Sequence, residues 1–393
     1  MPKVTRRFVA EAVWGIAAKG SVRLSQIARS LEESIPLIKT INRLSARLSE
    51  KELARRLTEK IIEDAAPKIK RDTLIIIDPS DIAKIYAKKM EYLARVRDGS
   101  DGKIVDGYST IDIVAAEVGE AKIIPLYHEL YSTKAPDFVS ENDEILKSVD
   151  LVSEKIGSKG IYVIDRGGDR GRIFNPLLDG QKRFIIRLVG SRHLASRGKN
   201  VLASDLAESC KTAYTERVVK VKDGKEKVYI VDFGFKKVNL PGRSEQLYLV
   251  VVKGFGAKPM MLLTNVAMRK NRKILWWMVQ AYLTRWRVED TIRFIKQSYD
   301  LEDVRVIKYE RLKNIAALVL VVAYFTACEL GLKSKLTILA THTMKASKRI
   351  FGIPDFLYYA LADGLKAILT RFGRGIEVKN TKISQNLQMA LLL

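Results

Sequence analysis

The feature that most constrains this chain is a 15-residue run, YLTRWRVEDTIRFIK, at positions 282–296. In a helix, at about 100° per residue, five of its polar side chains would share one stripe within an arc of roughly 80°. These are Tyr282, Arg285, Glu289, Arg293 and Lys296, and the neighbouring apolar stripe carries Val288, Ile292 and Ile295. The pattern indicates an acid that holds a cation beside bases that hold phosphates. A solvated helix with one ion pair would carry the same charges, so both interpretations stay open.

The charge balance of the whole chain indicates a polyanionic partner. Its 393 residues include 69 Lys+Arg and 45 Asp+Glu, a formal net charge of +24. Such an excess favours nucleic acid as the partner. A negatively charged membrane surface is the rival, but the longest apolar run, 315–328, is too short to span a bilayer and predicts a buried core helix. We therefore expect no membrane partner.

Cysteine and histidine patterns argue against metal-thiolate or histidine chemistry. Cys210 and Cys328 lie far apart and form neither a metal-ligand motif nor a disulfide framework, which fits a reducing cytoplasm. The three histidines are scattered along the chain. Near the N-terminus, Glu11 interrupts the apolar segment that follows three basic residues, so we expect no signal peptide.

Residues 1–70 predict a basic helical domain. Two periodic stretches flank a break at positions 32–36 and resemble a helix-turn-helix, whose second helix would read the major groove. In that second helix the spacing predicts Leu37, Ile38, Ile41, Leu44 and Leu48 inside, with Lys39, Thr40, Asn42, Arg43 and Arg47 outside. Lys39, Arg43 and Arg47 are the candidate DNA contacts, although plain helix packing would give the same periodicity.

The middle of the chain predicts a mixed α/β fold. From residue 71 to 190 the order of elements is β-β-β-α-β-α-β, with Ser140 as a helix N-cap. Residues 191–265 predict a β-rich insertion that includes a hairpin turn at Asp223-Gly224. Residues 266–340 are mainly helical and return to the α/β core. Residues 341–393 predict a helical, basic C-terminal region, with Arg371, Arg374 and Lys379.

Two aspartates each end a predicted buried strand. Asp78 ends LIIID and Asp165 ends IYVID, where rigid backbone holds a carboxylate at the sheet edge. Together with Glu289, they would supply three carboxylates able to hold two Mg²⁺ ions about 4 Å apart. The alternative is that any strand ends in a polar residue. Asp81 and Asp169 lie close behind and are alternative ligands or orienting partners.

Two further motifs have competing interpretations. Gly167-Gly168-x-x-Gly171 suggests nucleotide binding, but it lacks the full glycine fingerprint, so a flexible turn beside Asp165 is favoured. The tryptophans Trp276, Trp277 and Trp286 lie near Glu289 in the sequence. They would stack on an unpaired base or, by default, pack in the core.

These residues carry a family resemblance. The spacing Tyr282-x2-Arg285-x3-Glu289-x6-Lys296 resembles, at all four positions, the signature around the catalytic glutamate of DDE transposases from prokaryotic insertion sequences, in the insertion-sequence-four family. Asp78 is similar to the first catalytic aspartate of that family and Asp165 to the second. The resemblance spans about residues 71–330, and the β-rich insertion is expected for the family.

The resemblance implies a ribonuclease-H-like core in residues 71–190 and 266–340. Asp78, Asp165 and Glu289 would be the catalytic residues and ligate two Mg²⁺ or Mn²⁺ ions. Tyr282, Arg285 and Lys296 would grip DNA phosphates, joined by Arg293. No protein nucleophile is needed.

The implied function is a DNA transposase that binds terminal inverted repeats, cleaves at the transposon ends and transfers the 3′ strand to target DNA. Its partners would be double-stranded DNA and a second copy of the chain in the synaptic complex. Its location would be the prokaryotic cytoplasm, at the nucleoid. Two alternatives remain. One is a non-catalytic helix-turn-helix DNA-binding protein or inactive relic, and the other is a nuclease that hydrolyses DNA without strand joining.

Overall fold

A computed structural model describes residues 1–99, 102–222, 225–330 and 358–372, and the side chains of 220–226, 360, 371 and 372 are not described. The predicted turn at Asp223-Gly224 lies outside the described residues, as do Arg374 and Lys379. The fold is mixed α/β, with one large mixed sheet and helices.

Four helices form the N-terminal part: α1 (Lys3–Lys19), α2 (Leu24–Ser30), α3 (Leu37–Arg47) and α4 (Leu53–Ala65). The side of α3 that faces the protein differs from the prediction. Leu37 and Ile38 are exposed, the latter by 60%, whereas Thr40 is buried with Leu44 and Leu48. The reason is a polar contact: the Thr40 hydroxyl donates to the Glu33 carboxylate at 2.6 Å, which turns that face of α3 inward.

The sheet has ten strands. They are β1 (Leu74–Ala83), β2 (Ala94–Arg97), β3 (Ile104–Ala116), β4 (Ile123–Tyr131), β5 (Ile161–Ile164), β6 (Phe184–Arg187), β9 (Tyr214–Lys222), β10 (Lys225–Val238), β11 (Leu247–Lys253) and β12 (Met260–Thr264). A separate hairpin joins β7 (His193–Ser196) to β8 (Lys199–Leu202). The order across the sheet is β2-β3-β1-β5-β6-β12-β11-β10-β9, with β4 also paired to β3.

Strand β1, in the interior of this sheet, is buried and has one antiparallel and one parallel neighbour. Ile75, Ile76 and Ile77 are fully buried, as expected for a continuous apolar run in a strand covered on both faces. Strand β1 pairs antiparallel with β3 and parallel with β5, and β5 pairs parallel with β6. The three parallel strands therefore point their carboxyl ends the same way.

Strand β1 is longer than the sequence predicts. Asp78 does not end it, since pairing with β3 continues to Ala83. Pairing with β5, in contrast, stops at Ile77 opposite Ile164. Pro79 follows at once and has no amide hydrogen to donate to a second neighbour, which suits a strand with only one partner beyond this point. Asp78 thus sits where β1 loses its parallel neighbour.

The predicted β-rich insertion extends the central sheet. Strand β12 pairs with β6, and β11, β10 and β9 follow outward as an antiparallel meander. Because β12 pairs with the free edge of β6, the backbone N–H and C=O groups along that edge have hydrogen-bond partners. The long hairpin of β9 and β10 forms the far edge of the sheet.

Seven further helices are described: α5 (Glu141–Ile156), α6 (Gly171–Asp179), α7 (Ala203–Glu208), α8 (Arg272–Leu283), α9 (Trp286–Ser298), α10 (Tyr309–Tyr324) and α11 (Tyr358–Phe372). The predicted N-cap of α5 is present, because the Ser140 hydroxyl accepts a hydrogen bond from the Asp143 amide at 3.2 Å.

Helix α10 and the π-helical turn that follows are longer than the predicted apolar run. In the described part of the chain, Tyr309–Leu330 is the one helix long and apolar enough to span a membrane by length and composition. The prediction that this apolar segment is too short to span a bilayer was therefore wrong. However, 78% of its most apolar window is buried inside the protein, which is the expected behaviour of a core helix.

Candidate active site

Sheet pairing brings the two aspartates together. Ile77 of β1 and Ile164 of β5 are register partners, so Asp78 and Asp165 leave the paired segment side by side. Neighbouring strands lie about 4.8 Å apart. Strand β5 ends here because the Asp165 carboxylate accepts a hydrogen bond from the Gly167 amide at 2.7 Å, which starts a tight turn. The rigid ends of two strands therefore hold both carboxylates.

The signature run is two helices and not the single helix that its periodicity predicts. Helix α8 ends at Leu283 and α9 begins at Trp286. At the junction the Thr284 hydroxyl donates to the Gln280 carbonyl at 2.8 Å, a contact that bends helices. Glu289 follows in the first turn of α9, where the helix dipole favours a negative charge. The predicted apolar stripe of α9 is buried, at Val288, Ile292 and Ile295.

Arg285 links α9 to β1. One terminal nitrogen lies 2.6 Å from Glu289 Oε1 and the other 3.3 Å from Asp78 Oδ1. Its side chain is only 8% exposed, and the guanidinium lies 5.2 Å from the centre of the Trp286 ring. Asp78 and Glu289 therefore converge on a shared cationic group.

Burial makes Asp78 a weak acid. Removal from water raises the pKa of its carboxyl from 3.8 to about 7, and this effect outweighs the attraction of Arg285, which lowers it. The negative charges of Glu289, Asp165 and Asp112 raise the same pKa further. A divalent cation would relieve this repulsion.

The other bases of the predicted stripe differ in their surroundings. Lys296 Nζ lies 3.7 Å from Asp81 Oδ2 and 3.4 Å from Glu302 Oε1, so it too is held by carboxylates. Arg293 is 60% exposed and lies 3.7 Å from Asp290. Tyr282 is buried in the last turn of α8. The pKa of its phenol is raised, because burial outweighs the lowering effects of Arg285 and of a hydrogen bond with Arg187.

The two alternative aspartates have partners of their own. Asp169 accepts hydrogen bonds from the Val189 amide at 2.7 Å and from Arg192 Nε at 2.5 Å, which fastens the turn after β5 to the loop after β6. Asp81 accepts from the Gly99 amide at 3.1 Å and faces Lys296. Both carboxylates are therefore held by contacts with residues other than Asp78, Asp165 and Glu289.

Sequence reasoning missed a buried pair beside the cluster. Asp112 on β3 is the register partner of Asp78, His128 on β4 is the register partner of Asp112, and His128 Nδ1 lies 2.6 Å from Asp112 Oδ1. The Thr110 hydroxyl donates to the second Asp112 oxygen at 2.8 Å. The alternation of β3 in the sequence carried the only signal, since it places Asp112 and Thr110 on one face of the strand.

The glycine turn and the tryptophans have clear structural places. A Cβ on Gly168 would lie 2.7 Å from Ile164 Cγ2, so only glycine fits where the turn packs against β5. Trp276 packs against Phe233 with ring centres 5.5 Å apart, and Trp277 is partly buried. Trp286 is 52% exposed beside Arg285. Only Trp286 therefore presents a large apolar surface next to the cluster.

The candidate DNA contacts of α3 divide into two kinds. Lys39 and Arg47 are exposed. Arg43, predicted to face outward, is instead half-buried: its terminal nitrogens lie 2.5 Å from Glu11 Oε2 and 2.8 Å from Glu33 Oε1. Arg43 therefore fastens α3 to α1 and to the loop before α3.

The carboxylates have the chemistry of a divalent-cation site but not, as arranged, its geometry. Hard oxygen donors are the ligands that Mg²⁺ and Mn²⁺ prefer. Among the described residues, however, no group of three acidic, histidine or cysteine side chains is placed to hold a metal ion. The Arg285 guanidinium lies between Asp78 and Glu289 and supplies the positive charge that a metal ion would otherwise supply.

Comparison with known proteins adds one informative match. Residues 139–325 match the family model described as the transposase DDE domain, a segment that contains Asp165, the whole signature run and Glu289. This match supports a DDE transposase. Asp78 lies before the matched segment, so its assignment rests on its position beside Asp165.

The chain was also compared with curated proteins and with solved structures. A search of curated proteins found no match. Among solved structures, the cryo-EM structure of a piggyBac transposase synaptic complex with hairpin DNA is similar, with 11% sequence identity and a TM-score of 0.41 over 99% of this chain and 76% of that one.

Proposed function

We propose that this protein is a DNA transposase of the DDE type, with Asp78, Asp165 and Glu289 as its catalytic carboxylates. The observation that best supports the proposal is a chain of contacts: paired strand ends set Asp78 beside Asp165, and Arg285 bridges Asp78 to Glu289 on α9. The DDE-domain match, which implies DNA cleavage and strand transfer, supports the same function. The position of β1 between antiparallel β3 and parallel β5 supports a ribonuclease-H-like core.

The mechanism follows from what each side chain can do. Asp78 and Asp165 project from rigid strand ends and Glu289 from the first turn of α9, so the three would hold Mg²⁺ or Mn²⁺ at a fixed place. Two bound ions would activate a water or a 3′-hydroxyl and stabilise the leaving oxygen. Arg285, Arg293 and Lys296 lie along the same side of α9 and would bind the phosphates next to the scissile bond. Tyr282, which was predicted to join them, is buried in the last turn of α8.

The remaining parts of the chain would position DNA. Lys39 and Arg47 are exposed on α3, so the N-terminal helices would bind the terminal inverted repeats. The net charge of +24 would attract both the transposon end and the target. Synapsis of two ends would require a second copy of the chain. We also propose the insertion-sequence-four family and a prokaryotic, nucleoid-associated location, on the basis of the signature spacing.

One observation favours a second candidate, a DNA-binding relic without cleavage. Arg285 fills the space between two of the carboxylates, and Lys296 is paired with Asp81 and Glu302. A protein that kept this arrangement with DNA bound would bind DNA without cutting it.

A nicking assay separates these candidates. The full chain is incubated with Mg²⁺ and a duplex carrying the inverted repeat that flanks its gene. We expect nicks at the repeat end, lost in Asp78→Asn, Asp165→Asn and Glu289→Gln while DNA binding persists. Asp290→Asn, on the next residue of α9, is the matched control and should still cut. Equal cleavage by the three variants would remove those residues from the site.

Product analysis distinguishes transposition from simple hydrolysis. With a supercoiled plasmid as target, a transposase yields molecules in which the 3′ end of the repeat is joined to plasmid DNA. A hydrolytic nuclease of the same fold gives nicked repeats and no joined molecules. Their absence under conditions that give complete nicking would support the nuclease.

A further inference from the structure

Arg285 is unusual among the bases of this protein because it is buried with both of its terminal nitrogens on candidate metal ligands. Its Nε atom is buried without a hydrogen-bond partner. A phosphate-gripping side chain at rest would be expected in solvent, like Arg293, which is 60% exposed. The position of Arg285 therefore has to be explained by the carboxylates and not by DNA alone.

The carboxylates need a cation in the absence of metal. Asp78 is 17% exposed and Glu289 is 34% exposed, and like charges held this close in a partly dry site repel strongly. An uncompensated charge there would destabilise the fold, and a guanidinium can satisfy two carboxylates at once because its donors form a planar fork. Arg285 thus acts as an internal counter-ion for this pair.

The same contacts disfavour a metal ion. Mg²⁺ binds carboxylate oxygen at about 2.0–2.1 Å, much closer than a guanidinium nitrogen does. It would share the Asp78 and Glu289 carboxylates that Arg285 now contacts through Oδ1 and Oε1. A positive side chain and a divalent ion at the same two carboxylates would repel each other. The two therefore compete for this pair.

A phosphate is the group best able to draw the guanidinium away. It offers two oxygens to the planar fork, and DNA brings it without leaving an arginine charge buried and unpaired. Arg285 lies at the junction between α8 and α9, where its amide donates to the Tyr282 carbonyl at 3.1 Å and its carbonyl accepts from the Val288 amide at 3.1 Å. These backbone bonds do not involve the side chain, which can turn toward a phosphate by rotation about its own bonds.

We propose that Arg285 is an exchangeable counter-ion whose transfer from Asp78 and Glu289 to a DNA phosphate opens the metal site. The inference rests on the proposed function, because it assumes that this site takes a divalent cation and DNA. It makes the binding of metal and DNA mutually supportive, since each ligand removes an obstacle to the other. It also keeps the carboxylates from holding a cleavage-competent metal before DNA arrives.

The test measures Mn²⁺ affinity of the full chain, by the loss of the free-ion electron spin resonance signal, without DNA. We expect Arg285→Met to bind Mn²⁺ at least about tenfold more tightly than wild type, because its competitor is gone. Adding Asp78→Asn to that variant should abolish the gain. Arg55→Met is the matched control: Arg55 is 65% exposed in an ion pair with Glu59, far along the chain on α4, and its loss should leave the affinity unchanged.

The second arm adds a duplex of the repeat end. Wild type should gain Mn²⁺ affinity on DNA binding, whereas Arg285→Met should gain little. Unchanged or weaker Mn²⁺ binding by DNA-free Arg285→Met, with its circular dichroism spectrum intact, overturns the inference. If that variant does not fold, Arg285→Gln decides: glutamine is polar but carries no positive charge, so its DNA-free affinity should lie above wild type, and equality with wild type overturns the inference.

The two proposals fail separately. Tighter Mn²⁺ binding by DNA-free Arg285→Met in a protein that never cuts DNA supports the counter-ion exchange and rejects the transposase. Cleavage by wild type with equal Mn²⁺ affinity in the variant keeps the transposase and rejects the exchange.

Discussion

At the residue scale, the site depends on how burial and charge act on Asp78. The carboxylate lies at the end of the parallel pairing, between Asp165 and Asp112 and close to Glu289. The folded protein therefore holds an acid whose ionisation is opposed by burial and by three neighbours, with only Arg285 to favour it. Sites that bind cations commonly sacrifice stability in this way.

This arrangement predicts a stabilising substitution. Because the pKa of Asp78 is raised from 3.8 to about 7 in the folded state, the folded protein binds this proton more tightly than the unfolded chain does. Stability contributed by the group is present below about pH 4 and is lost as pH rises through about 7. Asp78→Asn has no proton to lose, so it should be more stable than wild type at pH 8, by up to about 4 kcal/mol.

Urea unfolding at pH 4.5 and pH 8 checks the prediction, and the gap between variant and wild type should shrink at the lower pH. Asp72→Asn, which removes a carboxylate that is 65% exposed, is the control and should show no such gap. An Asp78→Asn protein less stable than wild type at pH 8 would contradict the account.

Several site residues were predictable from sequence because their signals are local. Asp165 follows a continuous apolar run and precedes two glycines, so both the strand and its end are encoded within a few residues. The position of Arg285 was not predictable, since it depends on β1, more than 200 residues earlier in the chain. The same holds for the Asp112–His128 pair, which only the register of β3 with β4 brings together.

At the element scale, tertiary contacts decide which face of a helix or which length of strand is used. Helix α5 and its Ser140 cap matched the prediction because capping is local. Strand β1 continues past Asp78 because its pairing with β3 extends beyond LIIID, the apolar run from which the strand was predicted. Thr40 and Arg43 of helix α3 face inward because Thr40 contacts Glu33 and Arg43 contacts both Glu11 and Glu33. Periodicity gives the spacing of a face but not its partner.

Helix α3 therefore predicts a separation of roles among its bases. Arg43→Met should lower the free energy of unfolding by about 2 kcal/mol, because it leaves Glu11, whose side chain is 7% exposed, with fewer partners. Lys39→Met and Arg47→Met should leave stability within about 0.5 kcal/mol of wild type, since both residues are exposed.

For DNA binding, the two exposed positions matter most. Lys39→Met and Arg47→Met should each weaken binding to the repeat end and reduce its dependence on salt, by about one phosphate contact each. Thermal melts and binding isotherms at several salt concentrations provide both readouts. A destabilised Arg47→Met protein, or Lys39 and Arg47 variants with wild-type salt slopes, would count against this division.

At the scale of the whole molecule, one sheet unites the candidate site with the predicted insertion. The strands that bear Asp78 and Asp165 and the meander of β9 to β12 share a continuous ladder of hydrogen bonds. The sequence predicted the mixed α/β class and the location of the insertion. It did not predict that the insertion extends the sheet, because the pairing of β12 with β6 joins segments more than 70 residues apart.

The charge of the whole molecule makes a further prediction. With a net charge of +24, binding to any duplex should fall steeply as salt rises, and the logarithm of affinity should decrease with a slope of about −5 or steeper against the logarithm of salt concentration. Fluorescence anisotropy with a labelled duplex measures this slope. A slope near zero would indicate that the positive charge serves something other than DNA.

The most direct test of the central claim is anomalous diffraction from crystals of the full chain grown with Mn²⁺ and a duplex of the repeat end. The account predicts manganese peaks bounded by the carboxylates of Asp78, Asp165 and Glu289, with Arg285 turned toward a phosphate. Crystals with DNA bound and no manganese within reach of these three side chains would contradict it.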